Sequence, residues 1–232
     1  MPPRTVVFDL DGTLVDSAPD IHAALDRLMA GLRRPPFARE EVVAMIGDGV
    51  RRLVERALAA RDLPFDPAAL AAFSADYTAN AAVATRPFPG VPEALAALQD
   101  AGWRLAVCTN KPAAATAALL GALGLAGRFA AVGGGDSFPV RKPDPGHLLG
   151  ALRAAGGEAG RAAMVGDHRN DVLAAQGAGL PCLFAAWGYG PPAMAEGAAA
   201  VAADPGALPA LLDGLVPRGG GGERPGAAAV AR

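Results

Sequence analysis

Three carboxylates punctuate the otherwise mainly apolar stretch "VVFDLDGTLVDS", Val6 to Ser17. Asp9 and Asp11 stand two residues apart, and Asp11-Gly12 between hydrophobic runs is also the strongest short-range hairpin signal. Taken alone, the stretch admits two readings, a tight turn or a pair of reactive carboxylates. Further candidate residues follow along the chain: Thr109-Asn110 after "RLAVC", Lys142 in "RKPDP", and Asp167 with Asp171 in "GDHRND". An aspartate can attack an electrophilic centre, and a second one beside it can pass a proton to the leaving group and take one from water. Thr109 and Lys142 are of the types that hold the oxygens of a transferring phosphoryl group.

These residues share a position: each follows a short apolar run. "TVVF" ends at Asp9, "RLAVC" at Thr109-Asn110, "AAMV" at Gly166-Asp167, "PCLFAA" at Trp187-Gly188, and "FAAV" at the glycines 133–135, expected as a loop. Between the runs lie helix-like segments at 92–101, 112–123, 145–155 and 171–178, three of them with Pro at or near the first helical position. Strands alternating with helices predict an α/β fold, a parallel sheet covered on both faces. Ligands of such sheets bind outside the carboxyl ends of the strands, where all of these polar endings fall. That convergence weighs against an isolated hairpin.

Convergence also creates an electrostatic problem. Asp9, Asp11, Asp167 and Asp171 at one crevice repel one another, and one lysine does not balance them. Oxygen ligands, with no His or Cys pair at ligand spacing, point to Mg²⁺ as the missing cation.

The segment 16–85 has a different pattern. Ile21, Leu25, Leu28 and Leu32, then Val50, Leu53, Val54 and Leu58, recur at helical spacing, which predicts a helical insertion after the first strand. Domain bounds follow: a catalytic core at 1–15 and 86–216, a helical cap at 16–85, and a disordered Gly-rich tail at 217–232. In the insertion, Gly47-Asp48-Gly49 precedes a helical pattern. Backbone N–H groups there would face a substrate, with Arg51 nearby.

The chain has 232 residues, 52% of them hydrophobic, and a formal charge of −2, which argues against nucleic-acid or anionic-membrane binding. Its two cysteines, Cys108 and Cys182, read as buried thiols of a reducing compartment, and no signal peptide or membrane span is evident; a cytoplasmic protein is expected. Only two lysines occur, Lys111 and Lys142, in a chain that otherwise uses arginine. Both follow apolar runs, as if a compact ammonium were required there. His22, His147 and His168 are isolated; His147 is expected on a helix surface and His168 as a tolerated neighbour of the acidic cluster.

The motifs "DLDGTLVDS", "CTNKP", "RKPDP" and "GDHRND", in this order, resemble the haloacid dehalogenase superfamily, most closely its phosphatase branch. The similarity runs from Val6 to about Gly190 and includes "IGDG", "GGGDS" and "WGYG". The resemblance implies a Rossmann-like core with a helical cap and an aspartyl-phosphate formed on Asp9, with Asp11 as acid and base. It implies Thr109 and Lys142 on the phosphate, and Mg²⁺ on the Asp9 carboxylate, the Asp11 main-chain carbonyl and Asp167, supported by Asp171. Under it, Thr109, Asn110, Lys142, Gly47, Gly49 and Arg51 are candidate substrate-binding residues, and the partner is a small phosphorylated metabolite, with 2-phosphoglycolate favoured. Phosphatases of sugar phosphates or pyrophosphate and a phosphosugar mutase are the alternatives; a monomer or homodimer is expected.

Overall fold

The computed structural model describes residues 2–218, so the tail expected at 217–232 lies outside the described residues from position 219 onward. In chain order the strands are β1 (Thr5–Phe8), β2 (Val15–Asp16), β3 (Arg86–Pro87), β4 (Arg104–Cys108), β5 (Ala131–Gly133), β6 (Ala162–Gly166), β7 (Cys182–Ala185) and β8 (Ala200–Ala202). The helices are α1 (Ala18–Gly31), α2 (Arg39–Val43), α3 (Val50–Ala59), α4 (Pro67–Asn80), α5 (Val91–Asp100), α6 (Ala113–Ala122), α7 (Pro145–Ala154), α8 (Arg169–Ala178) and α9 (Leu208–Leu215).

Six strands form one parallel sheet in the order β5-β4-β1-β6-β7-β8. Side chains alternate across it. Val6, Phe8, Leu105, Val107, Ala163 and Val165 enter the core on one face, with Leu95 and Leu98 of α5. Val7, Ala106, Cys108, Ala162 and Met164 enter the other, with Leu148 and Leu152 of α7. Burial on both faces is why these strands read as unbroken apolar runs. Cys108 and Cys182 are buried and unpaired.

β1 lies at the centre, hydrogen-bonded to β4 on one side and β6 on the other. The chain crosses to opposite sides of β1 in its two halves, and the crevice this leaves at the carboxyl ends is where such sheets bind ligands. Asp9, Thr109 and Asp167 directly follow β1, β4 and β6.

Between β2 and β3 the chain is helical. α1 to α4 bury an apolar cluster of their own, including Leu25, Met29, Val42, Leu53, Val54, Leu58, Phe73 and Tyr77. The chain leaves and returns through a short antiparallel ribbon, Val15 opposite Pro87 and Asp16 opposite Arg86. Buried Asp20 of α1 accepts from the Thr85 N–H at 2.8 Å and the Thr85 hydroxyl at 2.7 Å, binding exit and return together.

Several features differ from the sequence expectation. The ribbon and β8 are too short to produce a period. α8 begins at Arg169, two residues before Asp171, because His168 caps it: the His168 Nδ1 accepts from the Asn170 N–H, and Asp171 accepts from the His168 N–H. Gly133 belongs to β5, paired with Cys108, and only the following glycines are loop. α4 was not separately legible, since its buried Ala69, Phe73 and Tyr77 are diluted by exposed alanines. Among the described residues no helix is long and apolar enough to cross a membrane.

Candidate active site

Asp11-Gly12 does lie in a turn: the Gly12 N–H donates to the Val15 carbonyl at 2.9 Å, and Gly12 has φ +85°. The turn does not make a hairpin, because β1 pairs with β4 and β6 and not with β2. It brings Gly12 against Asp167, where a Cβ would come within 2.8 Å of the carboxylate carbon.

Asp9 follows the last residue of β1, and its N–H donates to the Val165 carbonyl at 2.9 Å. Its Oδ1 accepts from the Leu10 N–H at 2.7 Å and lies 2.9 Å from the Lys142 Nζ. Among the described residues nothing donates to Oδ2. Burial pushes the Asp9 pKa up to about 6, against the pull of the Lys142 ammonium. Asp167 is held by the Thr13 hydroxyl at 2.7 Å and the Tyr189 N–H at 2.8 Å. Burial, with Asp9 and Asp171 beside it, pushes its pKa up to about 8.

Lys142 sits between two carboxylates, its Nζ also 2.6 Å from the Asp171 Oδ1, with none of its side chain exposed. Burial opposes its charge, yet Asp171 and Asp9 hold its pKa above the usual lysine value. The loop carrying it is fixed from behind by His147, which is fully buried on α7 and corrects the expectation of a surface position. The Lys142 N–H donates to the His147 Nδ1 at 3.2 Å, and the Nε2 faces the Gly134 carbonyl at 3.0 Å. A donor on one side and an acceptor on the other assign the neutral tautomer with the proton on Nε2. Burial and the Lys142 charge keep that ring neutral, its pKa down to about 4.

Thr109 is buried, its N–H donating to the Gly133 carbonyl at 2.9 Å and its hydroxyl oxygen accepting from the Lys111 N–H at 3.2 Å. The Asn110 Nδ2 donates to the Lys142 carbonyl at 2.9 Å and to the Gly47 carbonyl at 3.2 Å. Asn170 reaches the same Gly47 oxygen at 2.8 Å. The loop between α2 and α3 is thus seated on the core by the Gly47 carbonyl. Gly47 has φ +122°, and a Cβ there would lie 2.6 Å from the His168 ring. His168 therefore has a packing role beyond that of a tolerated neighbour.

Asp9, Asp11, Thr109, Asn110, Gly47 and Gly49 line one cleft of about 450 Å³, mouth included, together with Ile21, Ile46, Val50, Leu53, Tyr77 and Lys111. Arg51 does not line it. Its side chain is 59% exposed, pairs with Glu55 at 2.8 Å, and lies over the Phe65 ring at 4.9 Å.

Carboxylate oxygens of Asp9, Asp167 and Asp171 come within 4.8 Å of one another. Three buried oxygen donors, two of them with pKa values raised by uncompensated burial, fit a hard divalent cation. Both Asp171 oxygens already accept, from Lys142 and the His168 N–H, so its place is beside Lys142 as much as on a metal. The Asp11 carboxylate stands outside this group, 3.0 Å from the Lys111 Nζ.

Sequence reading missed Lys111 and Tyr77 as site residues, as well as Thr13 and the Tyr189 backbone. Scarcity was the available signal: the chain has only two tyrosines, Tyr77 and Tyr189, and both stand at this crevice.

The arrangement has known counterparts. The model of haloacid dehalogenase-like hydrolases matches residues 3–179, and the chain belongs to that family. It is 45% identical to the phosphoglycolate phosphatase of Caulobacter vibrioides over 189 residues, 80% of each chain. It is 44% identical to phosphoglycolate phosphatase 1 of Pseudomonas aeruginosa, covering 81% of this chain and 71% of that one. Among solved structures, a predicted phosphoglycolate phosphatase from Haemophilus somnus superposes with a TM-score of 0.83 at 29% identity, over 90% of this chain and 97% of the other.

Proposed function

We propose that this protein is a Mg²⁺-dependent phosphomonoester hydrolase that acts through an aspartyl-phosphate on Asp9, with 2-phosphoglycolate as its substrate. The observation that carries the proposal is the state of Asp9: one oxygen is engaged by Lys142 and the Leu10 N–H, and the other accepts from none of the described residues. The substrate is suggested by the names of the relatives and by a cleft of modest size.

In this reading Asp9 Oδ2 attacks phosphorus, the bond to the ester oxygen breaks, and protonated Asp11 gives its proton to the departing glycolate oxygen. Asp11, now a carboxylate, takes a proton from water as that water attacks phosphorus, releasing phosphate and restoring Asp9. The Thr109 hydroxyl and the Lys142 ammonium face the phosphoryl oxygens. Mg²⁺, held by the Asp9 carboxylate, the Asp11 carbonyl and Asp167, would neutralise charge between the phosphate and the acidic cluster. Residues 16–85 act as a cap that excludes water from the cleft, over a core of 1–15 and 86–216. Two buried free thiols suit a reducing, cytoplasmic setting.

The test is phosphate release from 2-phosphoglycolate, pyrophosphate and glucose 1-phosphate, with Mg²⁺ and after treatment with EDTA. Turnover of 2-phosphoglycolate above the others, abolished by EDTA and restored by Mg²⁺, is expected. Isomerisation of glucose 1-phosphate without phosphate release would make the protein a mutase, and full activity without metal would overturn the cation's role.

A further inference from the structure

The mechanism above leaves one buried cation without a task. Lys142 is locked between Asp9 and Asp171, but Lys111 lines the cleft itself. Its Nζ donates to the Asp11 Oδ1 at 3.0 Å and to the Tyr77 hydroxyl oxygen, lies 4.3 Å from the centre of the Tyr77 ring, and its side chain is 1% exposed. An ammonium has three N–H donors. Two are engaged, and among the described residues the third has no acceptor. No other residue lining the cleft is positively charged. The arginines of α3 are committed elsewhere, Arg51 and Arg52 to Glu55 and Arg56 to Asp48.

We infer that Lys111 is the specificity-determining residue of this cleft: its free N–H reads a carboxylate on the leaving group, and Tyr77 orients it. The inference rests on the phosphomonoesterase reading and names what selects the substrate within it. Asp11 must meet the ester oxygen to protonate it. In 2-phosphoglycolate the carboxylate carbon is two bonds from that oxygen, about 2.5 Å away. A cation at hydrogen-bonding distance from Asp11 is therefore within reach of that carboxylate, while Thr109 and Lys142 take the phosphoryl oxygens in the proposed mechanism. Lysine supplies here a compact point charge with three rotatable donors, in a chain that otherwise uses arginine. Tyr77 comes from α4, so the reader of the carboxylate is complete only with that helix docked on the core.

The experiment compares kcat/KM for 2-phosphoglycolate with that for ethyl phosphate, which has a methyl group in place of the carboxylate. It uses the full-length wild type, Lys111→Met, Lys111→Arg and Tyr77→Phe. Removing one partner of a desolvated charge pair should lower the ratio at least ~30-fold in Lys111→Met, mainly through KM. Lys111→Arg should recover part of the loss, and Tyr77→Phe should lower the ratio by less. Inhibition by 3-phosphonopropionate against propylphosphonate separates recognition from proton transfer, and Lys111→Met should abolish the preference for the carboxylated inhibitor. If Lys111→Met melts early, Lys111→Gln carries the same comparison. Equal losses on both substrates with the inhibitor preference intact would overturn the inference and leave Lys111 as a partner of Asp11 alone. A wild type that does not prefer 2-phosphoglycolate to ethyl phosphate would instead overturn the substrate reading, before any variant is compared.

Discussion

The two walls of the cleft are built from different materials. The core wall gathers buried charged side chains around the strand ends: Asp9 after β1, Asp167 after β6, Asp171 in the first turn of α8 and Lys142 in the loop before α7. The wall from the helical segment is backbone and apolar surface, with the Gly47 carbonyl gripped by Asn110 and Asn170, and the nearby arginines paired to their own neighbours at the surface. Reactive groups need fixed positions and low dielectric, which strand ends in a packed sheet supply. A wall held by a few hydrogen bonds shifts at less cost than one held by buried charge. Substitutions in the two walls should therefore fail differently.

The largest effect belongs to the core wall. Asp9→Asn should lower kcat by roughly 10⁴–10⁶-fold, as loss of a nucleophile does, with circular dichroism and melting temperature retained. Ordinary turnover in a folded variant would break the division between the walls. Lys142→Met leaves Asp9 and Asp171 buried without a counter-charge, and should cost about 3–5 kcal/mol in denaturant unfolding besides activity. A wild-type unfolding midpoint in that variant would mean the acidic cluster is less desolvated than its geometry implies.

Gly47→Ala tests the other wall. The positive φ and the His168 ring beside it make the substitution strained by roughly 1–3 kcal/mol, expressed as a raised KM in steady-state kinetics with kcat less affected. A pH test returns to the core at smaller amplitude. His147 is neutral in the folded state down to about pH 4, whereas an unfolded histidine takes up its proton near pH 6.5. The unfolded chain therefore binds more protons across that window, and stability is lost as pH falls from about 6.5 to about 4. His147→Gln, which preserves an acceptor and a donor, should flatten that part of the wild-type profile in thermal melts. The smallest effect is expected at Arg51→Ala: kcat/KM within about twofold, and stability within about 0.5 kcal/mol, as at other exposed positions. A tenfold loss of kcat/KM would return Arg51 to the substrate.

Much of the core wall was legible in advance. Strands buried on both faces appear as apolar runs, so Asp9, Thr109 and Asp167 could be placed at strand ends by counting. Arg51 could have been read better, since Glu55 four residues on is its natural helical partner. His147 could not, because its burial depends on the Lys142 N–H and the Gly134 carbonyl, which belong to loops on either side of it. Lys111 was marked by scarcity, but not by pattern. Its partners lie 100 and 34 positions away in the chain, beyond the reach of any local spacing.

By itself, the sequence determined which residue types end the strands, that the sheet is parallel and covered, and that acidic side chains gather at its carboxyl ends. These follow from local periodicity and from charge, which are properties of neighbours along the chain. Only the tertiary structure decided which carboxylate faces which lysine, that Gly47 offers the core its carbonyl, and that Tyr77 closes on Lys111. Those pairings join segments far apart in sequence, and they exist only once packing has excluded water and set the few distances at which a buried charge can be matched.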